Sequence, residues 1–233
     1  MWLGIDTSGA VSVAVGRPSA DGGIEILARR SDERARHHDE VLLALIDSVL
    51  ADAGTQRGDL TRIVAGRGPG PFTGLRVGLV SARTLAAVLD VPLSGLCSLD
   101  ALAHQALAET RDRGAEAAGS LLIALDARRR EVYWARYAVQ AGALVRTAGP
   151  AVAPPADVAE AADSASIVAG SGAQLYAEQL HPASALTHVD AGHLLAEAAS
   201  QLAAGADLSS TEPLYLREPD AAKPTARKSA LGR

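Results

Sequence analysis

The residues of this 233-residue chain best placed to do chemistry lie in one glycine-rich turn and a few polar clusters. Gly66 to Gly78 reads GRGPGPFTGLRVG, in which Gly66, Gly68 and Gly70 alternate with Arg67 and Pro69. Glycine opens backbone dihedrals closed to other residues, while Pro69 and Pro71 fix φ and remove donors. The segment therefore predicts a stiff strand-to-helix turn with Thr73 as the helix N-cap. Such a turn either receives an anion on the helix N-terminus or fixes the angle at which the helix leaves its sheet. The common phosphate loops do not match. The chain has no G-K-[ST], and the loop reads GxGxG rather than GxGxxG. Two prolines remove two N–H groups from the cradle itself, and Asp90 follows a helix rather than ending a strand. A structural turn is the preferred reading.

Other clusters offer less. Asp6, Thr7 and Ser8 end the first strand-like segment and serve either a nucleotide contact or the cap of a tight turn. Asp126 and Glu131 bracket Arg128, Arg129 and Arg130. As a general acid/base pair one of them would need a raised pKa, but three neighbouring cations favour the ionised form of both, so a salt-bridged hairpin is expected. Asp100 and His104 share a helical face and read as a helix-surface contact rather than a metal pair. His37 and His38 open a helix at a solvent-facing or interface position. His181, His188 and His193 have no recognised ligand spacing. Ser81 and Cys97 have no neighbouring His in a nucleophile motif, so a peptidase reading has no residues behind it. A lone cysteine excludes an internal disulfide framework and a Cys-rich zinc site. No cofactor of the chain's own is expected.

The elements that position these groups follow from periodicity. Residues 2–8, 10–17 and 23–30 read as a three-strand meander, followed by a helix over 36–53, a strand at 62–66, a helix over 74–89 and a strand at 92–97. A helix from Leu99 to about Arg113 opens a second cycle. It holds strands at 120–126, Glu131–Val139 and Ala143–Val152, a short helix after Pro154, a strand at 166–170, and helices near 173–180 and 190–204. Two such units predict an α/β, two-lobed, duplicated architecture, with lobes at 1–100 and 101–217, whose end can return to the first lobe. Residues 218–233 lack periodicity and read as a disordered tail.

Composition narrows the function class. Hydrophobic residues make up 48% and charged ones 21%, but aromatics only 3%, so the core must be built from Ala, Val, Leu and Ile. Net charge is −5, the wrong sign for a free-standing RNA binder. Arg29, Arg30, Arg34 and Arg36 are interleaved with Asp32 and Glu33 and read as solvated surface. The denser Arg128–Arg130 group can touch phosphate. No uninterrupted apolar stretch reaches the ~18 residues of a membrane span, Arg83 and Asp90 breaking the nearest. The chain starts at once on a strand, leaving no room for a signal peptide, and a cytoplasmic location is expected.

The helices at 36–53 and 74–89 are apolar on more than one stripe. The first carries Leu42, Leu45, Ile46 and Val49. The second carries a row of small residues, Gly74, Gly78, Ala82 and Ala86, with Val77, Ser81 and Leu85 beside it. A lobe of this size has little material to cover both, so these helices read as a helix–helix interface with another protein. A bulky residue at Gly78 is then expected to abolish partner binding and leave the monomer folded.

LGIDTSGAVSVAV at the start, the GRGPGPFTGLRVG turn, DARRREVYWA at 126–135 and PLYLR at 213–217 fall in the order seen in the bacterial TsaB (YeaZ) family, which the chain resembles over nearly its whole length. That family supplies a subunit of the machinery forming threonylcarbamoyladenosine at position 37 of tRNA. The resemblance implies an actin/hexokinase/Hsp70-like (ASKHA) ATPase-type fold and a non-catalytic role. A TsaD-like partner would transfer the threonylcarbamoyl group and a TsaE-like ATPase would assist. Metal and nucleotide would sit on the partners, and tRNA would be met through the complex. TsaD-type proteins carry a His-x-x-x-His pair after a strand like the one at 92–97. Ser98 and Leu102 stand there in this chain, and leucine cannot ligate. Superfamily members place an acidic residue near a metal-bound phosphate at the position of Asp6. The two interface helices would pair with the same helices of the partner, or with a second copy of this chain when the partner is absent. The rival is an ATP-using transferase or kinase active on its own.

Overall fold

The computed structural model describes residues 1–20, 22–33, 38–112 and 119–217. Arg34, Arg36, His37 and the 218–233 tail lie outside them. Alternating apolar residues build the first meander, β1 (Trp2–Asp6), β2 (Val11–Pro18) and β3 (Ile24–Asp32), as antiparallel neighbours with Leu3 opposite Val15 and Ile5 opposite Val13. α1 (His38–Asp52) follows. β4 (Arg62–Gly66) then pairs parallel with β1, α2 (Phe72–Leu89) crosses over, and β5 (Leu93–Leu96) pairs parallel with β4. The resulting order is β3-β2-β1-β4-β5.

α3 (Ser98–Asp112) leads to the second cycle: β6 (Ser120–Asp126), β7 (Val132–Gln140), β8 (Ala143–Ala153), α4 (Pro155–Asp163) and β9 (Ile167–Ala169). Its sheet runs β8-β7-β6-β9, with β6 antiparallel to β7 and parallel to β9. This repeats the directions and order of the first four strands of the first sheet, so the duplication is real. Instead of one helix over 173–180, two short ones form, α5 (Ser171–Leu175) and α6 (Ala177–Leu180). They break at Tyr176, whose φ of −114° and ψ of 42° leave the helical region. α7 (Ala191–Ala203) closes the set, its start capped by the Asp190 carboxylate accepting from Gly192 N–H.

Strand alternation sorts the core into three layers. Leu3, Ile5, Val13, Ile63 and Ala65 face outward onto α1 and α2. Leu122, Ala124 and Val132 face outward onto α4, α5 and α6. Ala14, Val64 and Leu96 of the first sheet and Leu121, Ile123 and Tyr137 of the second face each other across α3 and α7. The end of the chain belongs to the first lobe. α7 packs on β1 and β2, where Ala191 N–H donates to Ser12 Oγ at 2.9 Å. Past it, Gly95 N–H donates to the Leu208 carbonyl and Leu214 N–H to the Arg67 carbonyl, each at 2.8 Å. The first sheet ends with β5 at Leu96 and the second begins with β6 at Ser120, α3 lying between them, while residues from 191 onward build onto the first sheet.

Candidate functional site

The end of β1 is sealed. Asp6 is 1% exposed. Its Oδ1 accepts from Ser8 N–H at 2.9 Å and Ser8 Oγ at 2.6 Å, and its Oδ2 accepts from Ser98 Oγ at 2.6 Å. Ser98 Oγ in turn accepts from Gly68 N–H at 3.1 Å. Thr7 Oγ donates to the Gly74 carbonyl at 2.8 Å, tying the same strand end to the start of α2. Burial raises the Asp6 pKa above the ordinary carboxylate value, and the hydroxyl and amide donors only partly counter it.

The glycines serve this closure. A Cβ at Gly66 would overlap Asp6 Oδ2, and one at Gly78 would overlap Thr7 Oγ. Gly70 lies against the Ser8 backbone, and Gly68 adopts a φ of +87°. Thr73 is not the N-cap: Pro71 occupies that position, Thr73 is exposed as the second residue of α2, and no side chain caps the helix. Asp6, Thr7, Ser8, Gly66, Gly68, Gly70 and Ser98 thus form one buried fastening between strand, turn and the α3 start. Leu102 lies in the central core.

A cleft of about 410 Å³ opens beside it between the lobes, bordered by Ser8, Thr73 and Val77 on one side and Asp126, Tyr133 and Ser171 on the other. Asp126 is the counterpart of Asp6, ending the first strand of the second sheet. It makes the same two-residue turn, Oδ1 accepting from Arg128 N–H at 2.8 Å, and its Oδ2 pairs with the Arg128 guanidinium at 3.3 Å. Glu131 pairs with Arg217 rather than with the adjacent arginines. Arg128, Arg129 and Arg130 have φ values of 62°, 53° and 62°, three successive non-glycine residues in the left-handed region.

On the other side of this turn lies a second groove of about 360 Å³, reaching Phe72 and Tyr215. These rings stack with centroids 5.0 Å apart. The Arg76 guanidinium lies 3.7 Å over Phe72, and Arg76 Nε donates to the Tyr215 hydroxyl at 3.1 Å. Sequence reading missed this grouping, because its parts are up to 143 residues apart and only the arginine run signals it.

The helix faces require a correction. Leu42, Ile46 and Val49 of α1, and Gly74, Gly78 and Ala82 of α2, are buried against their own sheet. The small-residue row lets α2 lie close on the β1 end, so a bulky residue at Gly78 strikes the fold itself before any partner. Leu45, Val77, Ser81 and Leu85 are half-buried. The large apolar residues of the two helices left in solvent include Leu43 (53% exposed), Val80 (59%) and Val88 (76%), with Phe72 at the start of α2. Val77, Val80, Ser81, Leu85 and Val88 recur at helical spacing and form an outward stripe. α2 is the one described helix long and apolar enough by composition to cross a membrane. Its inner face is spent on the first sheet.

Of the remaining candidates, His188 lines the interlobe cleft and the others lie apart from it. Asp100 and His104 do not pair. Asp100 accepts from the Tyr137 hydroxyl at 2.8 Å and Arg146 at 2.7 Å, whereas His104 Nδ1 meets His193 Nδ1 at 3.0 Å. Burial, with the neighbouring His193, lowers the His104 pKa to about 4. Cys97 is buried and its thiol is pushed up to about 12, which leaves it an inert packing residue. Among the described residues no three His, Cys, Asp or Glu side chains cluster at metal-binding distance.

Comparison with known proteins matches this architecture. A family model described as TsaD, tRNA N6-adenosine threonylcarbamoyltransferase, matches residues 25–178. A Mycobacterium tuberculosis protein described as uncharacterised is 37% identical over 229 residues, 95% of this chain and 97% of its own. The Escherichia coli protein named tRNA threonylcarbamoyladenosine biosynthesis protein TsaB is 38% identical over 102 residues, 44% of this chain and 42% of that one. The solved structure of YeaZ from Pseudomonas aeruginosa superposes with a TM-score of 0.75 at 32% identity, covering 92% of this chain and 99% of that one. Whole-length likeness to YeaZ, the TsaD-type match and the duplicated sheets agree: the chain belongs to the TsaB (YeaZ) family.

Proposed function

We propose that this chain is a non-catalytic organising subunit in the cytoplasmic formation of threonylcarbamoyladenosine at position 37 of tRNAs reading codons that begin with A. The names of its relatives supply the pathway. The observation that carries the role is the outward apolar stripe of α2 beside Leu43 of α1, solvent-exposed on a helix whose other face is already used. In this reading the stripe docks a TsaD-like catalytic subunit, or a second copy when that subunit is absent. The partners, with a TsaE-like ATPase, hold metal and nucleotide. The sealed Asp6 supports the assignment, since a carboxylate spent on Ser8 and Ser98 must break its fastening to meet a phosphate.

Titration calorimetry with the TsaD-like protein of the same organism tests the proposal. Val80→Glu/Val88→Glu should abolish binding with an unchanged circular dichroism spectrum, because both side chains already face water. Normal binding by this variant overturns the interface. The interlobe cleft favours a second reading, an ATP-using transferase acting alone. Micromolar ATP binding to the isolated chain, lost on Asp6→Asn with the fold intact, would establish it instead.

A further inference from the structure

The left-handed arginine turn and the aromatic pair across the second groove are used by neither the fastening nor the docking stripe. Three consecutive L-residues in the left-handed region are strained, and glycine or asparagine would make the turn at lower cost. The chain instead keeps three long cations there, all exposed. Backbone outliers of this kind point to a site when the surroundings supply matching chemistry.

The surroundings do. Arg128, Arg129 and Arg217 line the groove, Arg130 follows them in the turn, and Arg76 lies over Phe72 at its edge, while among the described residues Asp126 pairs with Arg128 and Glu131 with Arg217. On a chain of net charge −5, this concentrates positive potential at one place rather than spreading it. Tyr215 remains 40% exposed although Phe72 lies on its ring, and Phe72 remains 43% exposed although Arg76 covers it. Cations along a groove beside exposed aromatic rings are the chemistry that holds single-stranded nucleic acid, the rings stacking bases and the arginines meeting phosphates. An acidic peptide would match the charge but leave the rings unexplained.

We infer that this groove binds a single-stranded segment of the tRNA substrate directly, with a base on the Phe72–Tyr215 pair and backbone phosphates on the arginine turn. The inference rests on the reading that the chain works in tRNA modification, but it concerns a different face from the partner stripe.

Fluorescence anisotropy of the full chain with a labelled anticodon stem-loop RNA at low salt is the test. The wild type should bind saturably, with log K falling by about 0.7 per tenfold rise in salt for each phosphate contacted. Arg129→Gly/Arg130→Gly keeps the left-handed turn and removes two cations, so it should weaken binding about tenfold or more and flatten the salt slope. Tyr215→Ala should weaken binding about tenfold with the slope unchanged. Polyglutamate and fully duplexed RNA should compete poorly. Absence of saturable wild-type binding, full affinity in the glycine variant, or equal competition by polyglutamate overturns the inference. The same variants titrated with the TsaD-like partner separate the two claims. Intact docking with unaltered RNA binding refutes only the groove, whereas RNA binding that responds as expected without any docking refutes only the stripe.

Discussion

Two strand ends of common design have diverged inside this molecule. β1 and β6 each lead their sheets, end in an aspartate, and turn through a carboxylate that accepts the N–H two residues on. Asp6 has been enclosed by Ser8, Ser98 and the glycine turn, whereas Asp126 remains at the rim of the cleft, its side chain 20% exposed beside three arginines. The same backbone geometry serves as a fastening in one lobe and as the root of an exposed surface in the other. Position within a fold therefore does not assign chemistry; what surrounds the carboxylate does.

The comparison can be broken most severely at Gly78. Gly78→Val should cost about 3 kcal/mol or more, since the added carbons overlap Thr7 within a closed contact. A cooperative urea transition at the wild-type midpoint would disprove the tight fastening. Asp6→Ala should cost about 3 kcal/mol by stranding the Ser8 and Ser98 donors, and Asp126→Ala only about 1 kcal/mol, because water reaches its partners. Equal losses in parallel urea titrations would erase the distinction.

Acid titration sharpens it further. The folded Asp6 holds its proton above the ordinary value of 3.8. The native state therefore binds more protons than the unfolded chain just above that pH, and the wild type loses stability as pH rises through the window. Asp6→Asn cannot ionise, so its stability relative to wild type should improve as pH rises from 3 to 7. A flat difference would show that burial does not govern this carboxyl.

Smaller effects belong to the exposed end. Arg129→Gly and Arg130→Gly should each raise stability by about 1 kcal/mol, as a left-handed position is relieved. A fall in melting temperature would mean the side chains themselves hold the turn. Val88→Ser should change stability by less than about 0.5 kcal/mol, whatever it does to partner binding.

Much of the fold could be read from residue order, since strand alternation and helix periodicity are local. The strands at 62–66 and 120–126 lie where their apolar runs place them. The helix faces could not be read so well. A row of Gly74, Gly78, Ala82 and Ala86 permits close approach, but nothing in the row says whether a neighbouring helix or the helix's own sheet approaches. The His104–His193 contact was hidden for another reason, being a long-range pairing without a local signature. The arginine turn escaped because left-handed backbone is normally announced by Gly or Asn, and here it is not.

The closing stretch from Leu208 to Arg217 runs across β5 and the glycine turn, then touches the Ala127 carbonyl with Arg217 at 2.9 Å. It works as a strap buckled across the mouth of the molecule. It adds rim bonds, reaching both lobes, to the core that the two sheets already share across α3 and α7.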